Sequence, residues 1–233
     1  MRSTLQTCIT TVFMLASLLA APAFAADPAA ASATPATPAT PSGPPPRVRV
    51  TTTMGDFTIE LLPERAPLTV PNFLRYVREG FYSGTLIHRV IANFVIQGGG
   101  YDAADGKPKP VHEPIVNESG NGLQNKRGMV GLARGEPAHS GNAQFYVNLV
   151  DNPDLDPLAT RWGYTVFGRV VEGMDVIDRI GVTATGASGS FKSDAPIKPV
   201  IVEKVVLLEG SAGAAPAPVP TANPSNTTIL SPR

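Results

Sequence analysis

Leu86-Ile87-His88-Arg89-Val90-Ile91-Ala92-Asn93-Phe94-Val95-Ile96-Gln97-Gly98-Gly99 reads as two short strands joined by a turn. Leu86-Ile87 with Val90-Ile91 form one apolar run and residues 94–96 the other. Both are rich in β-branched or aromatic residues, and Ala92-Asn93 lies between them. The glycine triplet Gly98-Gly99-Gly100 reads as the end of the second run. Together the runs carry Arg89, Phe94 and Gln97. A guanidinium that keeps its proton, set beside an aromatic wall and an amide, can hold a polarised carbonyl in a dry pocket. It is poorly suited to proton transfer, so the trio points away from hydrolysis and toward electrostatic assistance of a bond rotation.

Working outward, further short apolar runs at 48–53, 57–62, 129–133, 144–149, 165–170 and 200–208 read as strands, separated by Gly, Asn, Asp and Pro. Residues 51–59 read as a hairpin with Gly55-Asp56 at its turn. Val70, Phe73, Leu74 and Val77 have the i, i+3, i+4, i+7 spacing of a helix. Thr69 is its expected N-cap, Pro71 is tolerated in its first turn, and Gly80 is its expected stop. A second helix is expected from about Gly173 to Ile180, with Met174, Ile177 and Ile180 on one face and Gly181 after it. Many short strands with two helices predict a mainly β fold, a closed antiparallel barrel capped at its ends.

The ends differ in composition from this core. Arg2, the largely apolar run 9–21 and the small residues of Ala23-Phe24-Ala25 read as a cleaved secretory signal over 1–25. The run is too short for a membrane span, so no stable membrane insertion is expected after cleavage. The single cysteine, Cys8, lies within that signal, which leaves the mature chain without a disulfide or a thiol nucleophile. Residues 26–46 are almost all Ala, Pro, Thr and Ser and read as a disordered linker; 210–233 read as a disordered tail of similar composition. Nineteen basic residues balance nineteen acidic ones, and only Arg2, Asp27 and Arg233 fall outside 47–209. That balance gives no electrostatic reason to expect nucleic acid as a partner.

Other chemistries find little support. The three histidines, His88, His112 and His139, are far apart and form no i, i+4 pair, so no metal and no cofactor is expected. Gly186-Ala187-Ser188-Gly189-Ser190 lacks the spacing of a hydrolase nucleophile elbow and reads as a flexible loop. No phosphate-cradling P-loop is present. Asn117-Glu118-Ser119 fits a glycosylation sequon, a match that is common by chance.

Four segments in order resemble the cyclophilin-type peptidyl-prolyl isomerases over roughly 47–209. They are the opening stretch; Gly128-Met129-Val130-Gly131-Leu132-Ala133-Arg134; Ser140-Gly141-Asn142-Ala143-Gln144-Phe145-Tyr146-Val147; and Gly163-Tyr164-Thr165-Val166-Phe167-Gly168-Arg169-Val170 with Gly173-Met174-Asp175. The resemblance implies a closed eight-stranded antiparallel barrel with a helix over each opening, and a substrate groove on its outer surface. It implies catalysis of rotation about X-Pro bonds, with Arg89 as the main catalytic residue and Gln97 binding the substrate backbone beside it. Phe94, Val95, Tyr146 and Leu155 would form the proline pocket. Tyr164 would stand where many members carry histidine. Ala133 and Arg134 match an Ala-Asn pair whose backbone binds substrate as an extended strand, and Gln144 would line the neighbouring pocket.

Taken without that resemblance, Phe94, Val95 and Leu155 read as core rather than as a pocket. Tyr146 and Tyr164 read as barrel-wall residues, Gln97 as a strand-end residue, and Arg89 as a surface cation paired with a carboxylate. Three departures from the family pattern stand out. Tyr146 replaces a usual phenylalanine, Arg134 replaces asparagine, and Asp154 occupies a position where many relatives have an aromatic ring. The last predicts weak binding of cyclosporin, since a hydrated carboxylate cannot replace an apolar ring; sub-micromolar inhibition would refute it. Tyr164 and the short loops resemble bacterial periplasmic members. The expectation is a monomeric periplasmic isomerase acting on proline-containing unfolded polypeptides, with a catalytically weak peptide-binding chaperone module as the alternative.

Overall fold

The structure is a computed structural model, and it describes residues 44–208. The signal peptide, most of the linker and all of the tail expected from the sequence therefore lie outside the described residues.

Among the described residues ten strands run in chain order: β1 (Arg47–Thr52), β2 (Gly55–Leu61), β3 (Thr85–Ile91), β4 (Val95–Asp102), β5 (Met129–Leu132), β6 (Phe145–Asn148), β7 (Val166–Glu172), β8 (Thr185–Ser188), β9 (Phe191–Pro196) and β10 (Ile201–Leu207). Helix α1 (Thr69–Arg78) follows β2, and α2 (Met174–Gly181) follows β7. Eight strands close a barrel in the order β1-β10-β3-β4-β6-β5-β7-β2, every neighbouring pair antiparallel. The mainly β barrel with two helices expected from the sequence is the observed fold. Closure leaves these strands no free edge.

Alternation along the strands fills the barrel. Val48 and Val50, Phe57, Ile59 and Leu61, Val130 and Leu132, and Phe145 and Val147 are buried together. The predicted face of α1, with Val70, Phe73, Leu74 and Val77, joins this core, as do Ile177 and Ile180 of α2. Phe73 sits at the centre of an aromatic cluster, 5.1 Å from Tyr82 and from Phe167 and edge-on to Phe145.

Several local expectations are corrected. The β1–β2 turn is Thr53-Met54, because Gly55 already pairs with Thr52 as the first residue of β2; the Thr52 hydroxyl donates to the Gly55 carbonyl and accepts from the Met54 N–H. The glycine triplet does not end β4, which runs on to Asp102. With no side chains there, β4 passes close behind neighbouring groups: a Cβ on Gly100 would fall 2.5 Å from Gln144. Thr69 is the first residue of α1 and not its N-cap. The cap comes from far along the chain. Glu118 accepts the Leu68 and Thr69 N–H groups at 2.9 and 2.8 Å and the Thr69 hydroxyl at 2.7 Å, placing a carboxylate at the positive end of the helix. Gly181 belongs to α2 as its last residue.

Residues 186–190, read as a loop, are part of the two-stranded β8–β9 hairpin. Its apolar anchor, Phe191, stacks on the buried His88 ring at 5.6 Å and meets Tyr101 edge-on. The hairpin tip is tied down by the Ser190 hydroxyl, which donates to the Gly106 carbonyl. The Asn117 side chain of the sequon match is buried, its amide donating to the Ala138 and Gly163 carbonyls, so in the folded protein that nitrogen is already occupied.

Glu60 spans three strands. It pairs with Arg47 and Arg169, which are its register partners on β1 and β7. Burial opposes its charge, but the hydrogen bonds and charges of the two guanidinium groups outweigh it and hold the carboxyl below its ordinary value.

Candidate active site

One row of register partners crosses four strands: Arg89 on β3 faces Gln97 on β4, Gln97 faces Tyr146 on β6, and Tyr146 faces Gly131 on β5. Their strand neighbours Val90, Ile96, Phe145, Val147, Val130 and Leu132 are buried in the barrel. Period-two alternation therefore puts the row on the outer face. There Arg89, Phe94, Val95, Gln97, Ala133, Arg134, Tyr146, Leu155 and Tyr164 line a hollow of about 260 Å³. A second hollow of about 290 Å³ adjoins it, sharing Gln97, Ala133 and Arg134 and adding Gln144. All ten residues singled out in the sequence are thus brought to one groove.

The polar side chains of the row are linked. Arg89 Nη1 donates to Gln97 Oε1 at 3.3 Å, and Gln97 Nε2 donates to Gln144 Oε1 at 3.0 Å. This fixes the orientation of the Gln97 amide and leaves most of the Arg89 donors free. The guanidinium also lies 5.9 Å from the Phe94 ring centroid. It is half-buried and, among the described residues, no carboxylate pairs with it.

The floor is aromatic. Tyr146 is buried and meets Tyr164 edge-on, the ring centroids 6.0 Å apart. Its hydroxyl donates to Asn125 Oδ1 at 2.6 Å. Burial, with the Tyr164 and Asp156 charges, pushes this phenol well above its ordinary value, so it stays protonated. The ring lies over Gly131, where any Cβ would collide with it. Val95 is buried and also borders the hollow. Leu155 is carried by a short 3₁₀ turn, Pro153–Leu155, and its carbonyl accepts the Tyr164 N–H, which ties the two sides of the hollow together.

A set of buried amides behind the floor carried no signal in the sequence. Asp156 Oδ1 accepts both the backbone and side-chain N–H of Asn125. Asn148 donates to Asn125 and to the Met129 carbonyl, while Asn152 donates to Asn148 Oδ1 and to the Phe94 carbonyl. These bonds hold Phe94 and Tyr146 in place from within, and every amide involved is satisfied. Polar residues in a loop-rich stretch look like solvent-facing ones until the fold closes over them.

Arg134 is held face-on to Tyr164, 4.5 Å from its centroid. It donates to the carbonyls of Gly135, Glu136, Trp162 and Gly163. Asp154 is exposed beside Leu155, and it is its carbonyl that Arg161 takes as acceptor.

Comparison with known proteins agrees with this architecture. The family model described as cyclophilin type peptidyl-prolyl cis-trans isomerase/CLD matches residues 47–207. The chain is 48% identical over 161 residues to peptidyl-prolyl cis-trans isomerase B of Escherichia coli, covering 68% of this chain and 97% of that protein. It is 45% identical over 164 residues to the isomerase cyp18 of Streptomyces antibioticus, covering 69% and 98%. In fold it is similar to a crystal structure of a cyclophilin-type isomerase from Cryptosporidium parvum, with a TM-score of 0.60 at 24% identity, covering 70% of this chain and 98% of that one. The chain belongs to the cyclophilin-type peptidyl-prolyl cis-trans isomerase family.

Proposed function

We propose that this isomerase works through Arg89 in the outer groove, and that it serves polypeptides exported to the periplasm. The chain is a peptidyl-prolyl cis-trans isomerase acting on proline-containing peptides. The X-Pro bond resists rotation by about 18–20 kcal/mol because of amide resonance. In the twisted state the nitrogen is pyramidal and carries a lone pair, and the carbonyl loses its conjugation. Arg89 and Gln97 aim fixed donors into the hollow where a prolyl carbonyl and its neighbouring backbone would lie. Phe94, Val95, Leu155, Tyr146 and Tyr164 give the ring an apolar seat. Donors already oriented in a water-poor site favour the twisted amide over the planar one without a covalent step.

The observation that carries this reading is a half-buried guanidinium in the groove with no carboxylate partner among the described residues. The test is isomerisation of a short Ala-Pro peptide by the purified protein and by Arg89→Ala. Loss of one aligned donor is expected to lower kcat/KM by about 10²–10³. Equal turnover by both proteins would overturn the role of Arg89. Peptide binding without acceleration by either would make the domain a binding module of the chaperone type.

Export is supported by Arg2, the apolar run 9–21 and Ala23-Phe24-Ala25, with 47–209 as the isomerase domain between an Ala/Pro/Thr linker and a similar tail. The balanced charge supports a chain that leaves nucleic acid alone, the shortness of the run 9–21 supports release from the membrane once the signal is removed, and a monomer completes this reading. Fractionation of expressing cells, with the N-terminus of the processed chain sequenced, tests this: a cytoplasmic protein beginning at Met1 would refute it.

A further inference from the structure

We infer that Arg134 makes this isomerase selective for substrates with an acidic side chain two residues from the proline. The inference rests on the outer groove being the isomerase site. An extended peptide places alternate side chains on the same side, about 6–7 Å apart. A proline ring seated in the first hollow therefore sends the side chain two positions away into the adjoining one. The two hollows share Arg134.

The charge in this groove is one-sided. Arg89 and Arg134 are the only charged side chains lining either hollow, and both are positive. Arg47, Arg75, Arg127, Arg169 and Arg179 each meet a carboxylate; Arg89 and Arg134, like Arg49, Arg65, Arg78 and Arg161, make no ion pair among the described residues. Glu136, the acid nearest to Arg134 in sequence, and Asp154, beside Leu155, are exposed, and neither carboxylate accepts a bond from either arginine. The whole chain has a formal net charge of zero, so the positive groove is a local feature and not a reflection of overall charge.

Arg134 is also immobilised before any substrate arrives. Its four bonds to backbone carbonyls, at 2.9 to 3.2 Å, and its stacking on Tyr164 fix the guanidinium plane. Neutral carbonyls orient the group without cancelling its charge. A carboxylate entering the second hollow meets a cation that loses no further side-chain freedom, and an ammonium meets repulsion.

The experiment compares kcat/KM for peptides that differ only in the residue two before or two after proline, with Glu, Ala or Lys there, at low and high salt. The wild-type protein is expected to prefer Glu over Lys by roughly tenfold in at least one of the two registers, a preference that shrinks as salt screens the groove. Arg134→Asn should bring the ratio to near one, and Arg134→Lys should retain it, since the charge remains although the four carbonyl contacts do not. Each ratio is taken within one protein, so a partly unfolded variant still reports it. Equal rates for Glu and Lys in the wild type, or a ratio unchanged in Arg134→Asn, would overturn the inference. Loss of the ratio in both variants would assign Arg134 a purely structural role. Turnover of the Ala peptide that needs Arg89 but shows no charge preference would sink this inference alone; no turnover of any peptide would sink the site reading beneath it.

Discussion

The Tyr146 hydroxyl is bound to Asn125 Oδ1 at 2.6 Å, so the floor of the groove is anchored to a residue that does not line it. Asn125 is in turn clamped by Asp156, whose own backbone sits at the end of the turn carrying Leu155. A hydroxyl where the family usually has a bare ring is therefore part of a satisfied buried chain and not a polar intrusion into the pocket.

Breaking that pair from either side is expected to destabilise the protein. Asn125→Ala leaves a buried hydroxyl without an acceptor, and Tyr146→Phe leaves Asn125 Oδ1 with only the 3.3 Å bond from Asn148. Each should cost about 1–3 kcal/mol. The double variant should cost less than the two singles together by about 1 kcal/mol. Urea unfolding of the four proteins gives the cycle; strict additivity would show that the hydroxyl and Asn125 are not coupled.

Gly131 makes room for that ring. A methyl at this position occupies the space of the Tyr146 phenol. Gly131→Ala should push the ring into the groove and lower kcat/KM by roughly tenfold or more, with a stability loss of about 1–3 kcal/mol. In a Tyr146→Ala background the same change should cost far less stability. A Gly131→Ala protein with ordinary turnover and stability would contradict the close approach.

Glu118 caps a helix that has no side-chain cap of its own and no acidic residue in its first turn. Glu118→Ala is expected to cost about 1–2 kcal/mol and to speed amide exchange at Leu68 and Thr69 before other α1 amides. Unchanged exchange at those two amides would show that the helix start does not depend on the carboxylate.

His88 gives the protein a definite acid response. Burial against Tyr101 and Phe191 pulls its pKa from 6.5 down to about 4, with the Arg89 charge acting in the same direction and a backbone bond at Leu86 opposing. Because the folded value is the lower one, the neutral ring contributes nothing above pH 6.5 that acid removes until the unfolded chain starts to take up the proton. Stability is then lost as pH falls from about 6.5 to about 4, by at most about 3 kcal/mol. Glu60, also lowered, loses its contribution only below its ordinary value of 4.5, so above that pH the His88 slope stands alone. Denaturant unfolding from pH 7.5 to 4.5 should show the slope in wild type and a flatter profile in His88→Gln. Equal slopes would refute it.

What could be read from the sequence followed the kind of force at work. Val48, Val50, Phe57, Ile59, Phe145 and Val147 announce strands because half-burial enforces alternation, and α1 shows itself through the spacing of Val70, Phe73, Leu74 and Val77. The β8–β9 hairpin does not, since Thr185-Gly186-Ala187-Ser188 has no apolar alternation and is held by Phe191 packing on His88. Glu118 acts on Thr69 across a long stretch of chain, and Asn125, Asn148 and Asn152 carry loop-like local signals. Arg89, Gln97 and Tyr146 could be named from the family resemblance. Their alignment in one register row depends on β-ladder offsets and bulges that no local pattern encodes.

Alternation along β6 has a consequence for how such a protein can diverge. Phe145 and Val147 face inward while Tyr146 faces the groove, so adjacent codons answer to different demands. Changes at one set alter whether the barrel holds; changes at the other alter which peptides it turns over. The segregation lets a lineage retune its clientele, through positions such as Arg134, on a scaffold whose interior stays as it was.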